Sequence, residues 1–221
     1  MAIIPDRVLR TRRKTLSVTV DALGQVTVRA PLRYSEAKIA AFLAEKEAWI
    51  LRHQTRFSKA GIHLPGDSLD GYRLLLLGEE YLLTLYEGKR VRLLSDERQI
   101  FLPKECAEDA LRRWLKENAK RIFTDATRIR AEEMGVSYHS VSISSATTKW
   151  GSCTGDNRLR FSYRLLYAPK EVIDYVIVHE LCHTLHHDHS SAFWAAVASV
   201  LPDYQRKRKW LKDRGALLKI L

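Results

Sequence analysis

Apolar and polar residues alternate from Thr15 to Val20 and again from Gln25 to Ala30, on either side of Asp21-Ala22-Leu23-Gly24. That pattern predicts a β-hairpin with a four-residue, glycine-containing loop. From Ser35 onward Ile39, Phe42, Leu43, Trp49 and Ile50 recur every three or four residues, which predicts one long helix ending near Phe57. Tyr72–Leu77, Glu80–Tyr86 and Lys89–Leu94 read as three short strands parted by Gly78 and Gly88. After Pro103 a second helical stripe of Leu111, Trp114, Leu115, Ile122 and Phe123 predicts a helix over 104–134 that stops at Gly135. Val136–Ser145 and Asn157–Leu166 read as strands flanking the loop TTKWGSCTGD over 147–156. The expected fold is therefore α+β. A β-rich N-terminal region with one long helix covers 1–102, and a second domain covers 103–221.

Composition narrows the class. The chain has 221 residues, 46% of them hydrophobic and 29% charged, which excludes a disordered or collagen-like chain. Its longest apolar stretches, Ile39–Ala44 and Ala192–Leu201, the latter containing Ser199, fall far short of the roughly 18 residues a membrane span needs. The N-terminus lacks an apolar h-region, so a secretory signal is not expected and the expected compartment is cytoplasmic. Cys106, Cys153 and Cys182 are odd in number and widely spaced, which argues against a disulfide framework. The net charge of +11 is carried by the ends: +7 in residues 1–60 and +5 in 200–221, against −1 between them. Arg10, Arg12, Arg13 and Lys14, and Arg206 to Lys209, are the dense runs. Such ends either attract nucleic acid or another polyanion or are solvated faces.

The chemistry is concentrated in His179-Glu180-Leu181-Cys182-His183, an H-E-x-x-H sequence. Pro169 suits the first helical position and Glu171 the first turn, and Val172, Val176, His179 and His183 step along one helical face. Two imidazoles one turn apart can reach one Zn²⁺ at about 2.0–2.1 Å, and Glu180 is placed as general base toward a zinc-activated water. A catalytic zinc takes a third protein ligand and keeps one position open. On a continued helix His187 would stand about 12 Å along the axis from His179, too far to share a metal. His189 serves only if the chain breaks and folds back. The polar run HHDHSS, the capping residues Asp188 and Ser190, and the new apolar pattern from Phe193 predict such a break. His179, His183 and His189 are thus the expected ligands of one zinc per chain. His186 and His187 read as solvated, and Cys182 points off the ligand face.

Lys149 to Cys153 (KWGSC), Ala168-Pro169, EVIDYVIVHELCH over 171–183, and His189-Ser190 followed by Phe193-Trp194 together resemble the YgjP-like metallopeptidase family. The specific match spans Thr148 to Trp194. The resemblance implies a compact zincin-like catalytic unit, a small sheet with an active-site helix and C-terminal helices, related in outline to the SprT-type proteases. It implies zinc on His179, His183 and His189, with Glu180 as the catalytic carboxylate. Asp188 stands where the family usually has Asn and could orient the ligand beside it; Lys149 stands where Arg is usual. A metzincin would carry Gly at the position of His186. In zincin architecture a sheet edge lies above the active helix, so Lys149, Trp150, Gly151, Ser152 and Cys153 are candidate substrate-binding residues. The competing reading packs Trp150 and Cys153 into the core, with Gly151 as a bulge.

The leading expectation is a zinc metallopeptidase acting on a peptide or protein. One alternative is a metal-dependent nucleoside triphosphate pyrophosphatase using the same site, an assignment also attached to YgjP-like proteins. The other is a nucleic-acid-associated, SprT-like protease docked through the basic ends. Tyr163, Tyr167 and Tyr204 are candidate oxyanion donors without a spacing argument to choose among them. The sequence does not specify an oligomeric state.

Overall fold

The computed structural model describes residues 3–20, 25–51, 68–215 and 218. The fold is mixed α+β, and it divides into two compact units, Met1–Leu64 and Pro65–Lys219. Among the described residues no helix is long and apolar enough to cross a membrane.

In the first unit β1 (Arg7–Thr11), β2 (Ser17–Val20) and β3 (Val26–Pro31) form a sheet in the order β1-β3-β2. The alternation correctly marks β2 and β3, which pair antiparallel with Val18 opposite Val28; their loop, 21–24, lies outside the described residues. Strand β1 has no such signature. It is arginine-rich and mostly exposed, and backbone pairing parallel to β3 defines it. Helix α1 (Glu36–Glu45) starts at Ser35, whose hydroxyl accepts from the Lys38 amide. The expected single long helix is interrupted by a turn at Lys46 before residues 47–51 turn helical again. The expected end near Phe57 lies outside the described residues. Val26, Val28, Ala30, Ile39, Leu43 and Ile50 make this unit's core.

The second unit holds a sheet of β4 (Arg73–Leu76), β5 (Glu79–Tyr86), β6 (Arg92–Leu94) and β7 (Gln99–Pro103), in the order β4-β5-β7-β6. Strand β7 was not expected, yet it lies inside the sheet, parallel to β5, with Ile100 and Leu102 fully buried. Five residues ending at a proline read as the approach to a helix; their partner is far away in sequence. A 3₁₀ turn, Lys104–Cys106, leads into α2 (Ala107–Met134). Its buried face steps by four through Leu111, Leu115, Ala119, Phe123, Thr127 and Ala131. Gly135, at φ 65°, closes it in the left-handed region that favours glycine.

The expected boundary at 102 lies within the second compact unit, Pro65–Lys219. Leu74, Leu83, Ile100 and Leu102 belong to one buried cluster with Leu111, Phe123, Phe161 and Val176, so no division falls between β7 and α2.

A third sheet contains β8 (Ser140–Ser144), β9 (Gly151–Cys153) and β10 (Arg158–Ser162), in the order β8-β10-β9. Strand β8 begins at Ser140 rather than Val136, and β10 ends at Ser162 because Tyr163–Tyr167 forms a 3₁₀ helix. Helices α3 (Lys170–Cys182), α4 (Ser191–Val200) and α5 (Tyr204–Arg214) complete the unit.

Two contacts fix α3 in place. Arg130 on α2 holds the Asp174 carboxylate through two hydrogen bonds, from Nε at 2.7 Å and Nη2 at 2.6 Å. Just before the first turn of α3, Leu77 and Gly78 turn β4 into β5 with φ of 55° and 87°, as a tight hairpin turn requires. The Leu77 amide donates to the Leu166 carbonyl at 2.7 Å. A Cβ on Gly78 would sit 3.1 Å from Cα of Pro169, which precedes α3. Gly78→Ala is therefore expected to destabilise the protein by about 1–3 kcal/mol, from left-handed strain and backbone crowding together. Urea unfolding measures it, and an unchanged midpoint would contradict this account.

Candidate metal centre

Helix α3 is apolar nearly all round: Val172, Ile173, Tyr175, Val176, Ile177, Val178, Leu181 and Cys182 are all buried. It begins one residue later than the sequence suggested. Pro169 is the cap, and its carbonyl accepts the amides of Val172 and Ile173. His179 and His183 project from the last turn with ring centroids 4.9 Å apart. The helix then stops. The amides of Leu185 and His186 both return to the Cys182 carbonyl, and the chain turns away from the helical path.

The turn is closed by short-range polar contacts. The Asp188 carboxylate accepts the Ser190 amide at 3.1 Å, and the Ser190 hydroxyl accepts the Phe193 amide at the start of α4. This reversal brings His189 back over α3. Its Nε2 lies 3.2 Å from Nε2 of His179, and one nitrogen from each of His179, His183 and His189 falls within 4.8 Å of the others. Asp188 thus serves the turn as a hydrogen-bond acceptor, which holds its carboxyl below the usual range.

The donor set fits a zinc ion. Two nitrogens at the ligand distance of a tetrahedral zinc stand about 3.3–3.4 Å apart, close to the His179–His189 separation. His183 is oriented for the task, since its Nδ1–H donates to the His186 carbonyl at 2.9 Å and leaves Nε2 as the lone-pair nitrogen. Phe193, fully buried, supports all three rings: it stacks on His183 at 4.5 Å and meets His179 and His189 edge-on at 4.9 Å. Burial, then the neighbouring His183, His189 and Arg208, pushes His179 down to about 3, so the ring is neutral and able to ligate. Its Nδ1 is buried and has no hydrogen-bond partner among the described residues. Burial likewise lowers His183.

Glu180 follows His179 in the last turn of α3 and is 5% exposed. Burial pushes its carboxyl up to about 8, with the Lys149 charge opposing the shift. Strand β9 runs close against it. A Cβ on Gly151 would stand 2.5 Å from Glu180 Oε1 and 2.6 Å from its Cγ, so only glycine leaves the carboxylate room. The KWGSC segment therefore divides by residue. Gly151 adjoins Glu180, and Lys149 is exposed. Ser152 pairs with Arg160 of β10, and Trp150 packs against the second unit's core and approaches Gly215 at the end of α5. Cys153 also packs against that core, its thiol pushed up to about 11 by burial and by Glu180.

Of the three tyrosines selected from sequence, Tyr163 and Tyr167 are buried, with the Arg164 guanidinium over the Tyr163 ring. Tyr204 stacks on Trp194 at 5.3 Å. Tyr175, not selected, is the tyrosine whose ring meets His179, at 5.8 Å. Phe193, Trp194, Tyr175 and Arg208 surround the triad without having been chosen as site residues. The periodicity that marks an amphipathic helix does not separate a ring under a ligand from any other core ring.

A search of curated protein sequences found no significant match. Among solved structures, the metallopeptidase zymogen of Pyrococcus abyssi abylysin is 21% identical with a TM-score of 0.37, covering 41% of this chain and 93% of its own. That of Methanocaldococcus jannaschii jannalysin is 18% identical with a TM-score of 0.37, covering 43% of this chain and 96% of its own. Both likenesses are partial. The family model for the YgjP-like metallopeptidase domain, by contrast, matches residues 14–214. With both units spanned by that match, the chain belongs to the YgjP-like metallopeptidase family.

Proposed function

We propose that the protein is a zinc metallopeptidase in which His179, His183 and His189 hold the ion and Glu180 is the general base. The observation that carries this reading is the convergence of the three imidazole nitrogens beside a buried glutamate. Zinc in such a set supplies Lewis acidity toward water and toward a carbonyl oxygen. Glu180 takes the proton from the attacking water and returns one to the leaving amine. Gly151 keeps the space in which that carboxylate sits, and Phe193 and the His183–His186 hydrogen bond hold the imidazoles in register.

Strand β9 supports a peptide substrate. It is an edge strand of its sheet, pairing antiparallel with β10, and an extended peptide can add along such an edge by backbone hydrogen bonding. Lys149 to Cys153 would then line the peptide as it passes Glu180. No observation at the site favours the nucleotide or nucleic-acid reading over this one.

Glu180→Gln is expected to retain one zinc per chain and to lose about 10²–10⁴-fold in peptide hydrolysis, the range a general base contributes. His183→Ala should lose both metal and activity. Metal analysis and casein cleavage read the two variants side by side, and a Glu180→Gln protein that still turned over at the wild-type rate would overturn the mechanism.

Gly151→Ala is expected to keep the zinc while displacing Glu180. A fall of about 10²-fold in hydrolysis follows from a base moved by roughly 1 Å. Full activity in this variant would show that β9 does not constrain the carboxylate.

A further inference from the structure

The basic run Arg206–Lys209 is not a uniform charged face. Lys207 is buried and its ammonium bonds the Asp203 carboxylate, with which Arg206 also pairs at 3.5 Å. Arg208 turns elsewhere. Its guanidinium carbon lies 4.6 Å from the centre of the Trp194 ring, and Trp194 meets His189 at 5.6 Å and His179 at 5.8 Å. One aromatic ring therefore separates this cation from two of the three imidazoles. Arg208 is exposed, and among the described residues no carboxylate forms an ion pair with it.

The side chain is also held in position. Tyr204 precedes Arg208 by one turn of α5 and stacks on the same Trp194 ring plane, at 5.3 Å and 16°. Helix α5 thus presents a ring and a guanidinium together to Trp194. A guanidinium resting on an indole keeps its N–H edge available, and a pre-ordered arginine loses less entropy when that edge is used. The same helix is tied to β9, because Gly215 at its C-terminal end abuts Trp150, whose ring a Cβ on Gly215 would meet at 3.1 Å. The element carrying the cation and the strand passing Glu180 are joined through one tryptophan.

We infer that Arg208 is a specificity residue that takes a carboxylate of the substrate beside the metal centre, either an Asp or Glu side chain near the scissile bond or the peptide's own C-terminal carboxylate. The inference rests on the peptidase reading above. The planar fork of a guanidinium matches a carboxylate through two parallel hydrogen bonds. With Asp203 engaged by Arg206 and Lys207, Arg208 is the exposed cation of the run that rests on Trp194 next to the imidazoles, and its carboxylate partner is left to the substrate.

The test uses a synthetic decapeptide mixture in which each position carries Asp or Asn, Glu or Gln, with free or amidated C-termini, read by mass spectrometry. Zinc-loaded wild type, Arg208→Gln, Arg208→Lys and Arg208→Glu are compared, with metal content measured in each. Wild type is expected to cleave carboxylate members about tenfold faster or more than their amide partners, the scale of a charged hydrogen bond. The preference should fall at one fixed side-chain position, or at the free C-terminus, which distinguishes the two sources. Arg208→Gln should bring the ratio close to one, Arg208→Lys should retain part of it, and Arg208→Glu should invert it. Ratios are taken within one variant, so a loss of zinc through Trp194 lowers all members alike and leaves the ratio readable. Cleavage with the same ratio in wild type and Arg208→Gln overturns this inference and leaves the peptidase reading standing. No cleavage of any member by protein holding one zinc overturns both.

Discussion

Everything at the site depends on burying α3 on nearly every side while it carries a carboxylate and two imidazoles at its last turn. Burial of an ionisable group that lacks a close partner is unfavourable, and Glu180 bears that cost in a raised proton affinity. Its surroundings are built to keep it there. The Arg130 fork fixes the helix from one side, the Leu77–Gly78 turn abuts the residue before it, and β9 runs over Glu180 at a distance that only glycine permits. The apolar core around Val176, Ile177, Val178 and Leu181 offsets the penalty, as expected of a site whose polar groups are held by packing.

The three imidazoles come together because the helix ends where it does. His183 is at once the cap of α3 and a member of the triad, and its Nδ1–H bond to His186 belongs to the same turn that redirects the chain. Ser190 then starts α4 and thereby places Phe193, which touches all three rings. The geometry of the triad and the capping of the helix are consequently one problem here. A change in the cap would move the floor on which the imidazoles rest.

Much of this was legible in the sequence. The spacing of His179 and His183, the polar run before Phe193 and the capping residues around Ser190 are short-range signals, and they describe the helix, its end and the return to His189. Strand β7 and the division at 64/65 were not legible, because both depend on pairing with segments far away along the chain. Gly151 was readable as a bulge. Its actual reason, the approach of Glu180, joins residues that no local pattern connects. Arg208 was hidden for a different reason: in a run of four cations the sequence cannot say which one rests on Trp194.

Charge counting shows the same contrast. The two basic ends suggested open surfaces for a polyanion, but several of their side chains serve locally. Arg10 pairs with Glu36 and donates to the Tyr34 carbonyl, Arg13 donates to Ser17, and Asp203 draws in Arg206 and Lys207. What survives of the net charge as a recognition device is a matter of individual geometry. A cation that is stacked, exposed and one ring from the histidine triad differs in kind from its neighbours in the run, since its position places any charge it meets next to His179 and His189.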